Sequence, residues 1–573
     1  MLSRILFLYI FIILQGLAWA QPDSAVKPKQ PAVASANAYA TDAGLEVLAA
    51  GGNAFDAAVA ISVTLGLVEP ESSGLGGGGF FLLRKHDGHV VFVDARERAP
   101  AAANRDMYLD TKGQVRRSQA ISGPLSAAIP GLPAGIVHVA ERYGRLPLSE
   151  SLKPAIRLAR EGWKFGEKNR AMFAFKADVI ARNAAAAALF QPDGKIPEIG
   201  SRLYNPDYAQ VLERLVRAGV AGFYHGAFAR HMVEEVRKAG GIWTIEDLSS
   251  YTVVEREPIR LRHRHFEIIT APPPSSGGVA LSQIFNILDG YDYVSMDDAT
   301  RAHLFIEAMR RAYRDRAIYL GDPDHVVIPL DILLHPAYAA GLRASIHPDQ
   351  AMPSRLLPSV SQYAERPGTS HFSIVDQEGN MVSVTQTVNL PYGSGFVVPG
   401  TGFLLNNEMD DFSIKAGVPN AYGLIGEDAN AIAPGRRPLS SMTPSILIGS
   451  NRVAALGSPG GSRIITTVLL GILALIDGDD AQAVANLPRY HHQYLPDEIS
   501  AESNAFDTET IAALETKGHT VKVYDRTWGN MQLVIWDPTT GEVQVGSDFR
   551  WQGISKGAVG EPIEKTGKEI IFR

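Results

Sequence analysis

The chain has 573 residues, of which 46% are hydrophobic and 20% charged, enough apolar material for about two to four domain-sized cores. This composition excludes a mainly disordered or fibrous protein. The 54 basic and 61 acidic residues give a net charge of −7 and are interspersed, so the sequence predicts no nucleic-acid partner. Because the chain has no cysteine, disulfides, thiolate metal sites and cysteine nucleophiles are excluded as well.

The N-terminus has the pattern of a cleaved secretory signal. Arg4 precedes the apolar run 5–14, and small residues ending in Ala18-Trp19-Ala20 follow. A membrane anchor is the alternative, but the run is shorter than the roughly 20 residues that span a bilayer. We therefore predict that residues 1–20 are removed, and that the rest of the chain, with no later membrane span, is periplasmic or secreted.

The first half of the chain is predominantly helical in pattern. Residues 36–68 predict two helices separated by Gly51-Gly52-Asn53, where glycine ends the first and asparagine caps the second. Two strands, 80–84 and 90–93, follow a glycine-rich stretch. Residues 130–344 are mostly helical, and residues 345–368 predict a loop because no periodicity remains.

The character changes after Gly368. Residues 371–376 and 381–389 alternate between apolar and polar side chains, which predicts a hairpin of two half-buried strands. Four later strands and one helix are predicted at residues 445–448, 453–456, 520–524 and 531–537, and at 464–476, respectively. Strands and helices are segregated rather than strictly alternating, so the predicted fold class is α/β of the α+β kind, arranged in layers.

Three motifs in the sequence suggest chemistry that their context does not support. Gly74, Gly76 and Gly79 match a dinucleotide-binding fingerprint, but here a helix precedes the glycines and strands follow, the reverse of the required order. Close backbone packing explains these glycines better. His491-His492 would point to opposite faces of a strand and could not readily share a metal ion. No G-x-S-x-G elbow is present for a hydrolase triad.

Thr369 lies between the featureless loop and the first alternating strand. An ordinary strand threonine is one interpretation. The other interpretation follows from Gly368. Because glycine has no side chain, the Gly368 carbonyl is open to attack by the hydroxyl of Thr369. Cleavage there would make Thr369 an N-terminal residue, whose own α-amine could serve as the base for its Oγ.

Downstream segments could complete such a site. The glycines of residues 457–461 precede a helix and could form an oxyanion hole with their N–H groups, or could be an ordinary turn. Ser440 and Ser441 could bind a carboxylate or could simply form a turn. Glu408 and Asp411 could hold an ammonium group or form a solvated acidic turn.

Together these segments resemble the γ-glutamyltranspeptidase (glutathione hydrolase) family of N-terminal-nucleophile hydrolases. The similarity extends over nearly the whole chain after the signal, and each motif is weak alone but specific as an ordered set. The segments that carry it are residues 33–37, 51–54, 56–58, 76–80, 96–97, 99–100, 369–371, 406–412, 438–442 and 457–463.

The resemblance implies a four-layer αββα sandwich and a precursor cut at Gly368–Thr369. Residues 21–368 would form the large subunit and residues 369–573 the small catalytic subunit of a heterodimer. Thr369 would be the nucleophile, and Thr387 would hydrogen-bond it and raise its reactivity. The N–H groups of Gly460 and Gly461 would form the oxyanion hole.

The resemblance also implies how a glutamyl substrate is held. Arg96, Ser440 and Ser441 would bind its α-carboxylate, whereas Asn389, Glu408 and Asp411 would bind its α-ammonium group. Residues 411–430, which include Tyr422, resemble the lid loop of some bacterial members. The tail at residues 547–551 departs from the family's usual Asp-Pro-Arg ending.

The expected activity is γ-glutamyl transfer from glutathione and related compounds to water, amino acids or dipeptides, with no cofactor and no metal. One alternative is an acylase of the same superfamily that prefers a glutaryl chain without an amine. Another is an exported solute-binding protein, which would remain a single chain and turn nothing over.

Overall fold

The computed structural model describes residues 25–357, 368–551 and 555–561. The predicted signal at residues 1–20 lies outside these ranges. The strands, in chain order, are β1 (Ala32–Ser35), β2 (Gly78–Arg84), β3 (Val90–Ala95), β4 (Trp163–Lys164), β5 (Arg202–Leu203), β6 (Val254–Arg256), β7 (Ile259–His263), β8 (Phe266–Thr270), β9 (Thr369–Val375), β10 (Met381–Thr387), β11 (Ser445–Ile448), β12 (Val453–Gly457), β13 (Tyr490–His491), β14 (Ile499–Glu502), β15 (Val521–Tyr524), β16 (Gln532–Trp536), β17 (Val543–Ser547) and β18 (Lys556–Val559).

Most of the helices lie before β9. In chain order they are α1 (Ala38–Ala49), α2 (Ala54–Val68), α3 (Arg117–Ile121), α4 (Leu132–Tyr143), α5 (Leu148–Glu161), α6 (Glu167–Phe173), α7 (Ala177–Ile180), α8 (Ala184–Phe190), α9 (Pro206–Ala218), α10 (Ala221–Tyr224), α11 (Gly226–Lys238), α12 (Ile245–Ser249), α13 (Gly277–Leu288), α14 (Asp298–Tyr319), α15 (Leu330–Leu333), α16 (Pro336–Ala344), α17 (Ile464–Asp477), α18 (Ala481–Asn486) and α19 (Thr508–Thr516).

Two antiparallel sheets form the centre of the molecule. The first has the strand order β18-β1-β9-β10-β2-β3-β6 and the second β17-β16-β12-β11-β8-β7. Both sheets contain strands from before and after Gly368, so neither half of the chain completes a sheet without the other.

The alternation of side chains along β9 and β10 shows which layer packs on each face of the first sheet. Phe372 and Ile374 of β9 share a core with α1 and α2, which cover the outer face of the first sheet. Val375 and Met381 face inward and share a core with the second sheet and with α13, α14 and α17 beyond it. The predicted helix–sheet–sheet–helix sandwich is confirmed.

Most of the predicted elements are confirmed. Asn53 caps α2 with a capping box that it forms with Asp56. The hairpin after Gly368 is β9 and β10. Strands β6, β7 and β8 lie in residues 130–344, where helices dominated the sequence pattern. Strand β7 does alternate, with Ile259, Leu261 and His263 buried between exposed arginines, but five residues of alternation are too few to stand out.

The glycine-rich stretch packs backbone against backbone, as its context predicted. A Cβ on Gly77 would lie 2.0 Å from the carbonyl oxygen of Thr387, and one on Gly76 would lie 2.0 Å from that of Leu404. The glycines lead directly into β2, the neighbour of β10, so they let these segments approach where β10 ends.

We expect Gly77→Ala to push the end of β10 outward and to destabilise the fold by about 1–3 kcal/mol, as overpacking does. Thermal unfolding of the purified protein measures this loss. Gly341→Ala is the control, because a Cβ there meets nothing within 4 Å and alanine favours the helix. Equal melting temperatures for the two variants would contradict the packing argument.

Candidate active site

Thr369 and Thr387 lie side by side on the inner face of the first sheet. They are register partners at the ends of β9 and β10, and both point toward the second sheet. Their Oγ1 atoms are 3.2 Å apart, and both side chains are buried. The hairpin therefore brings together two hydroxyls that are 18 residues apart in sequence.

The peptide bond between Gly368 and Thr369 is held on both sides. Its carbonyl oxygen accepts hydrogen bonds from Thr369 Oγ1 at 2.8 Å and from Thr387 Oγ1 at 2.9 Å. The Gly368 N–H donates to the carbonyl of Asn389 at 3.1 Å, and the Asn389 N–H donates to Thr387 Oγ1 at 2.8 Å. The Thr369 hydroxyl thus lies beside the Gly368 carbonyl, whose oxygen already accepts a hydrogen bond from Thr387.

Gly460 and Gly461 form the turn between β12 and α17. Their φ angles are 145° and 56°, in the range that favours glycine. Among the described residues, neither N–H donates to a recorded acceptor. Gly460 and Gly461 border the spaces on either side of Thr369, so these N–H groups are available to an oxyanion there.

A small closed cavity of about 20 Å³ adjoins Thr369, roughly the space of one water molecule. All the side chains predicted to bind substrate line it. The lining residues are Arg96, Arg316, Thr369, Thr387, Asn389, Glu408, Asp411, Tyr422, Leu424, Leu439, Ser440, Ser441, Met442, Gly461 and Ile464.

Arg96 is fully buried and bonded to acidic side chains. Its guanidinium contacts Glu408, Asp411 at 2.6 Å and, more weakly, Glu97 at 3.4 Å. Its Nε also donates to the carbonyl of Pro438 at 3.0 Å. Although burial opposes it, this ring of carboxylates raises the pKa of Arg96.

Three carboxylates therefore share one guanidinium at this end of the cavity. Burial raises the pKa of Glu97 to about 7, and burial together with the neighbouring carboxylates raises that of Glu408 well above its usual value. Among the described residues, none donates a hydrogen bond to Glu408 Oε2 or Asn389 Oδ1, two buried oxygen atoms of cavity-lining residues. This end of the cavity is suited to a ligand that brings a positive charge and several N–H groups.

The two serines lie at another wall. Ser440 Oγ accepts from the Met442 N–H at 3.1 Å, and Ser441 Oγ accepts from Arg316 at 3.4 Å. Arg316 was not predicted. It belongs to the arginine-rich helix α14, and no sequence signal distinguishes it from Arg310, Arg311 and Arg314 on that helix.

Tyr422 closes the cavity above Thr369. Its hydroxyl donates to the carbonyl of Asn389 at 2.5 Å, and its ring packs so closely on Gly461 that a Cβ there would lie 2.4 Å from it. The side chain is buried. Three residues of the segment 411–430, namely Asp411, Tyr422 and Leu424, line the cavity.

A larger cavity of about 480 Å³ lies on the other side of Thr369. Glu71 and Lys168 line it together with Gly368 and Gly460. Burial raises the pKa of Glu71 to about 7, partly offset by Lys168. Thr369 thus lies between a small cavity and a larger one with room for a dipeptide-sized group.

The charged residues of the tail at residues 547–551, Asp548 and Arg550, form ion pairs. Asp548 pairs with Arg489 and, at 3.0 Å, with Arg550, which also pairs with Glu502. Phe549, where the family usually has proline, is partly exposed. The substitution therefore leaves the buried ion pairs intact.

Histidines away from Thr369 could be considered for a metal. Ligand atoms of His303, Glu307 and His519 lie within 4.8 Å of one another. However, Glu307 is paired with Arg310 and Arg311, which neutralise it. His303 Nδ1 and His519 Nε2 are 2.8 Å apart and hydrogen-bonded to each other.

The adjacent pair His491 and His492 makes separate contacts. His491 bonds Thr466 at 2.9 Å and Gln493 at 2.8 Å, whereas His492 lies 3.3 Å from Asp497. Both rings are buried. Each histidine thus has its own hydrogen-bond partners, and only His491 belongs to strand β13.

Comparison with known proteins agrees with this geometry. Residues 40–558 match the family described as Gamma-glutamyltranspeptidase. The glutathione hydrolase proenzyme of Escherichia coli K12 is 40% identical over 531 residues, which cover 92% of this chain and 91% of that protein.

Two solved structures are similar in fold. A cephalosporin acylase from Bacillus halodurans has a TM-score of 0.81 at 28% identity, covering 96% of this chain and 99% of that one. The γ-glutamyltranspeptidase of Helicobacter pylori has a TM-score of 0.54 at 36% identity, covering 56% of this chain and 92% of that one. By sequence and fold, this chain belongs to the γ-glutamyltranspeptidase family.

Proposed function

We propose that this chain hydrolyses glutathione and transfers its γ-glutamyl group, with Thr369 as the nucleophile. The observation that carries the proposal is the pairing of Thr369 with Thr387 beside a cavity whose buried acceptor atoms lack donors. A γ-glutamyl head has an ammonium group that can donate to those acceptors and a carboxylate that Ser440 and Ser441 can bind.

Thr369 becomes the nucleophile by cutting its own chain. Its Oγ adds to the Gly368 carbonyl carbon, while the hydrogen bond from Thr387 stabilises the developing oxyanion. The C–N bond then breaks, the hydroxyl proton ends on the Thr369 nitrogen, and an ester remains. Water hydrolyses this ester and leaves a Gly368 carboxylate and a free Thr369 α-amine.

In turnover the α-amine takes the Oγ proton as Thr369 attacks the γ-glutamyl amide. The N–H groups of Gly460 and Gly461 stabilise the oxyanion. With glutathione, cysteinylglycine leaves through the larger cavity, which has room for it. Water or an acceptor amine then resolves the γ-glutamyl ester on Thr369.

Both charged groups of the glutamyl head hold it in place. Asn389, Glu408 and Asp411 take its ammonium group, while Arg96, Ser440 and Ser441 take its carboxylate. Arg96 also pairs with Asp411 and donates to the carbonyl of Pro438, two residues before Ser440. Fixing the head at two points positions the γ-carbonyl against Thr369.

An acylase that accepts glutaryl chains is the second candidate, because the cephalosporin acylase from Bacillus halodurans shares the fold at a TM-score of 0.81. A glutaryl chain has no ammonium group, so it would leave Glu408 and Asn389 without the donors that they lack here. The cavity therefore favours a γ-glutamyl substrate.

The maturation sites are part of the same proposal. Residues 1–20 would direct export to the periplasm or beyond and would then be removed. Cleavage before Thr369 would give a heterodimer of residues 21–368 and 369–573. Among the described helices, none is both long and apolar enough to cross a bilayer. Because both sheets contain strands from each piece, the pieces would stay associated after cleavage.

We expect Thr369→Ala to abolish both cleavage and activity, because it removes the attacking oxygen. Denaturing electrophoresis should show one band for this variant and two for the wild type, and N-terminal sequencing of the shorter piece should begin Thr-Ser-His-Phe. Thr369→Ser is the control, since it keeps a hydroxyl and should still be cut. A fully active single-chain enzyme would contradict the mechanism.

We expect Asp411→Asn to lower kcat/KM for γ-glutamyl-p-nitroanilide by about 10- to 100-fold, since it removes a charged partner of the ammonium group. Turnover of glutaryl-p-nitroanilide, which has no amine, should change by less than about twofold. The two substrates serve as controls for each other in the same preparation. A uniform loss on both would assign Asp411 a structural role instead.

We expect the KM for γ-glutamyl substrates to fall as pH rises. Burial, together with the neighbouring carboxylates, raises the pKa of Glu408, and higher pH favours the ionised carboxylate that pairs with the bound ammonium group. Glu408→Gln cannot ionise and should reduce the slope of log KM against pH. A slope identical to that of the wild type would exclude Glu408 as the titrating partner.

A further inference from the structure

The larger cavity beside Thr369 has polar groups on two of its walls. Glu71 lines one wall together with Lys168 of helix α6. Arg463, at the start of helix α17, lines another wall together with Trp528. The glutamyl head belongs to the small cavity, so its binding uses none of these four side chains. They are therefore available to whatever group occupies the 480 Å³ of the larger cavity.

Glu71 is a fully buried carboxylate with one oxygen that lacks a donor. Its Oε2 accepts a hydrogen bond from Asn169 at 2.9 Å. No described residue donates a hydrogen bond to its Oε1, which lies 3.9 Å from Lys168 Nζ. Lys168 pairs more closely with Glu69, at 2.7 Å. Two carboxylates thus share one ammonium group, and Glu71 Oε1 can accept from a second one.

The position of Glu71 places this oxygen near the reacting end of the cavity. The backbone carbonyl of Glu71 accepts from the Tyr392 N–H at 3.0 Å. The preceding residue, Pro391, packs on Gly368, where a Cβ would lie 2.6 Å from the Pro391 nitrogen. The acidic wall therefore adjoins the start of β9, where an acceptor amine must lie to reach an ester on Thr369.

Arg463 and Trp528 form the second polar wall. The guanidinium carbon of Arg463 lies 4.8 Å from the centre of the Trp528 ring, and the two residues are only 6% and 7% exposed. In the part of the chain that the structure describes, the Trp528 Nε1 has no hydrogen-bond acceptor. The Asn530 N–H donates to Ser458 Oγ at 3.1 Å, which fixes this wall against the turn before α17. Together Arg463 and Trp528 offer a carboxylate one positive charge and one N–H donor.

We propose that the larger cavity binds the acceptor as a dipeptide zwitterion, with Glu71 at its ammonium group and Arg463 and Trp528 at its carboxylate. This inference rests on the proposed γ-glutamyl transfer and deepens it. The same contacts hold cysteinylglycine, itself a dipeptide zwitterion, as it leaves glutathione. The cavity thereby selects acceptors with a free C-terminal carboxylate over those without one.

The contact with Glu71 also prepares the amine for attack. The carboxylate takes one proton from the acceptor ammonium group, and the neutral nitrogen bonds to the γ-carbonyl carbon. The bond from that carbon to Thr369 Oγ then breaks, a second proton of the nitrogen ends on this oxygen, and Glu71 releases its proton to water. Burial raises the pKa of Glu71 to about 7, partly offset by Lys168, so this carboxylate can exchange a proton near neutral pH.

A purely structural role for these side chains is the alternative, because buried charges also hold chain segments together. Three acceptors that compete with water for one γ-glutamyl ester separate the two roles. Glycylglycine has both charges, glycylglycine amide lacks the carboxylate, and hydroxylamine is small and uncharged at neutral pH. The measured quantity is the ratio of transfer product to glutamate, with γ-glutamyl-p-nitroanilide as donor. A general loss of activity cancels in this ratio.

We expect Arg463→Gln to lower the transfer ratio for glycylglycine by about 10- to 100-fold and that for glycylglycine amide by less than about twofold. Trp528→Phe keeps the ring and loses the N–H, so the ratio for glycylglycine alone should fall by about 3- to 10-fold. Equal losses for the two peptides in both variants, or none, would overturn the carboxylate assignment.

We expect Glu71→Gln to lower the ratios for both peptides by about 10- to 100-fold and that for hydroxylamine by less than about twofold. The reason is that only the peptides bring an ammonium group to this wall. An equal loss for hydroxylamine would assign Glu71 a structural role, and unchanged ratios for the peptides would exclude it from the acceptor site.

Trp536→Phe is the matched control for Trp528→Phe. Trp536 Nε1 donates to the carbonyl of Val26 at 3.0 Å, and the residue lines neither cavity, so its loss should leave all three ratios unchanged. Two bands on denaturing electrophoresis verify that each variant has folded and matured.

Equilibrium binding separates a failure of this inference from a failure of the proposed function. If the wild type releases no p-nitroaniline, the proposed activity fails, and calorimetry with glycylglycine and its amide still tests the cavity. The wild type should then bind glycylglycine more tightly than the amide, and Arg463→Gln should lose that preference. An unchanged preference in Arg463→Gln would overturn the inference whatever the enzyme's substrate.

Discussion

The contact between Thr369 and Thr387 is the interaction on which the site depends. It exists because β9 and β10 pair in a register that sets the two threonines opposite each other at the edge of the intersheet space. The close approach of Gly77 to the end of β10 fixes that edge. Everything else around Thr369, from the glycine turn to the acidic cluster, is arranged relative to this pair of hydroxyls.

Charge balance is the second constraint on the cavity. The three carboxylates share one guanidinium and would repel each other if all were ionised. Burial, together with this repulsion, raises the pKa values of Glu97 and Glu408. A ligand that brings a positive charge would offset the excess of carboxylates.

The local parts of this structure could be predicted from the sequence, and the long-range parts could not. The hairpin after Gly368 and the capped helix at Asn53 follow from patterns a few residues long. The acidic residues and the serines of the cavity came from the family resemblance, which assigns identities but not pairings. That Arg96 contacts Glu408 and Asp411, and that Arg316 reaches Ser441 from helix α14, depends on how the layers stack. No window of sequence contains that information.

The Thr387 hydroxyl would act both in the proposed cleavage of the chain and in the proposed catalysis. In the uncut chain this hydroxyl donates to the Gly368 carbonyl, and it lies beside the oxygen of Thr369. Under the proposed cleavage, a chain that misfolds around β10 would not cut itself and would not become an active enzyme. Each active molecule would already have carried out the reaction once on its own backbone, which would show that the geometry around Thr369 is correct.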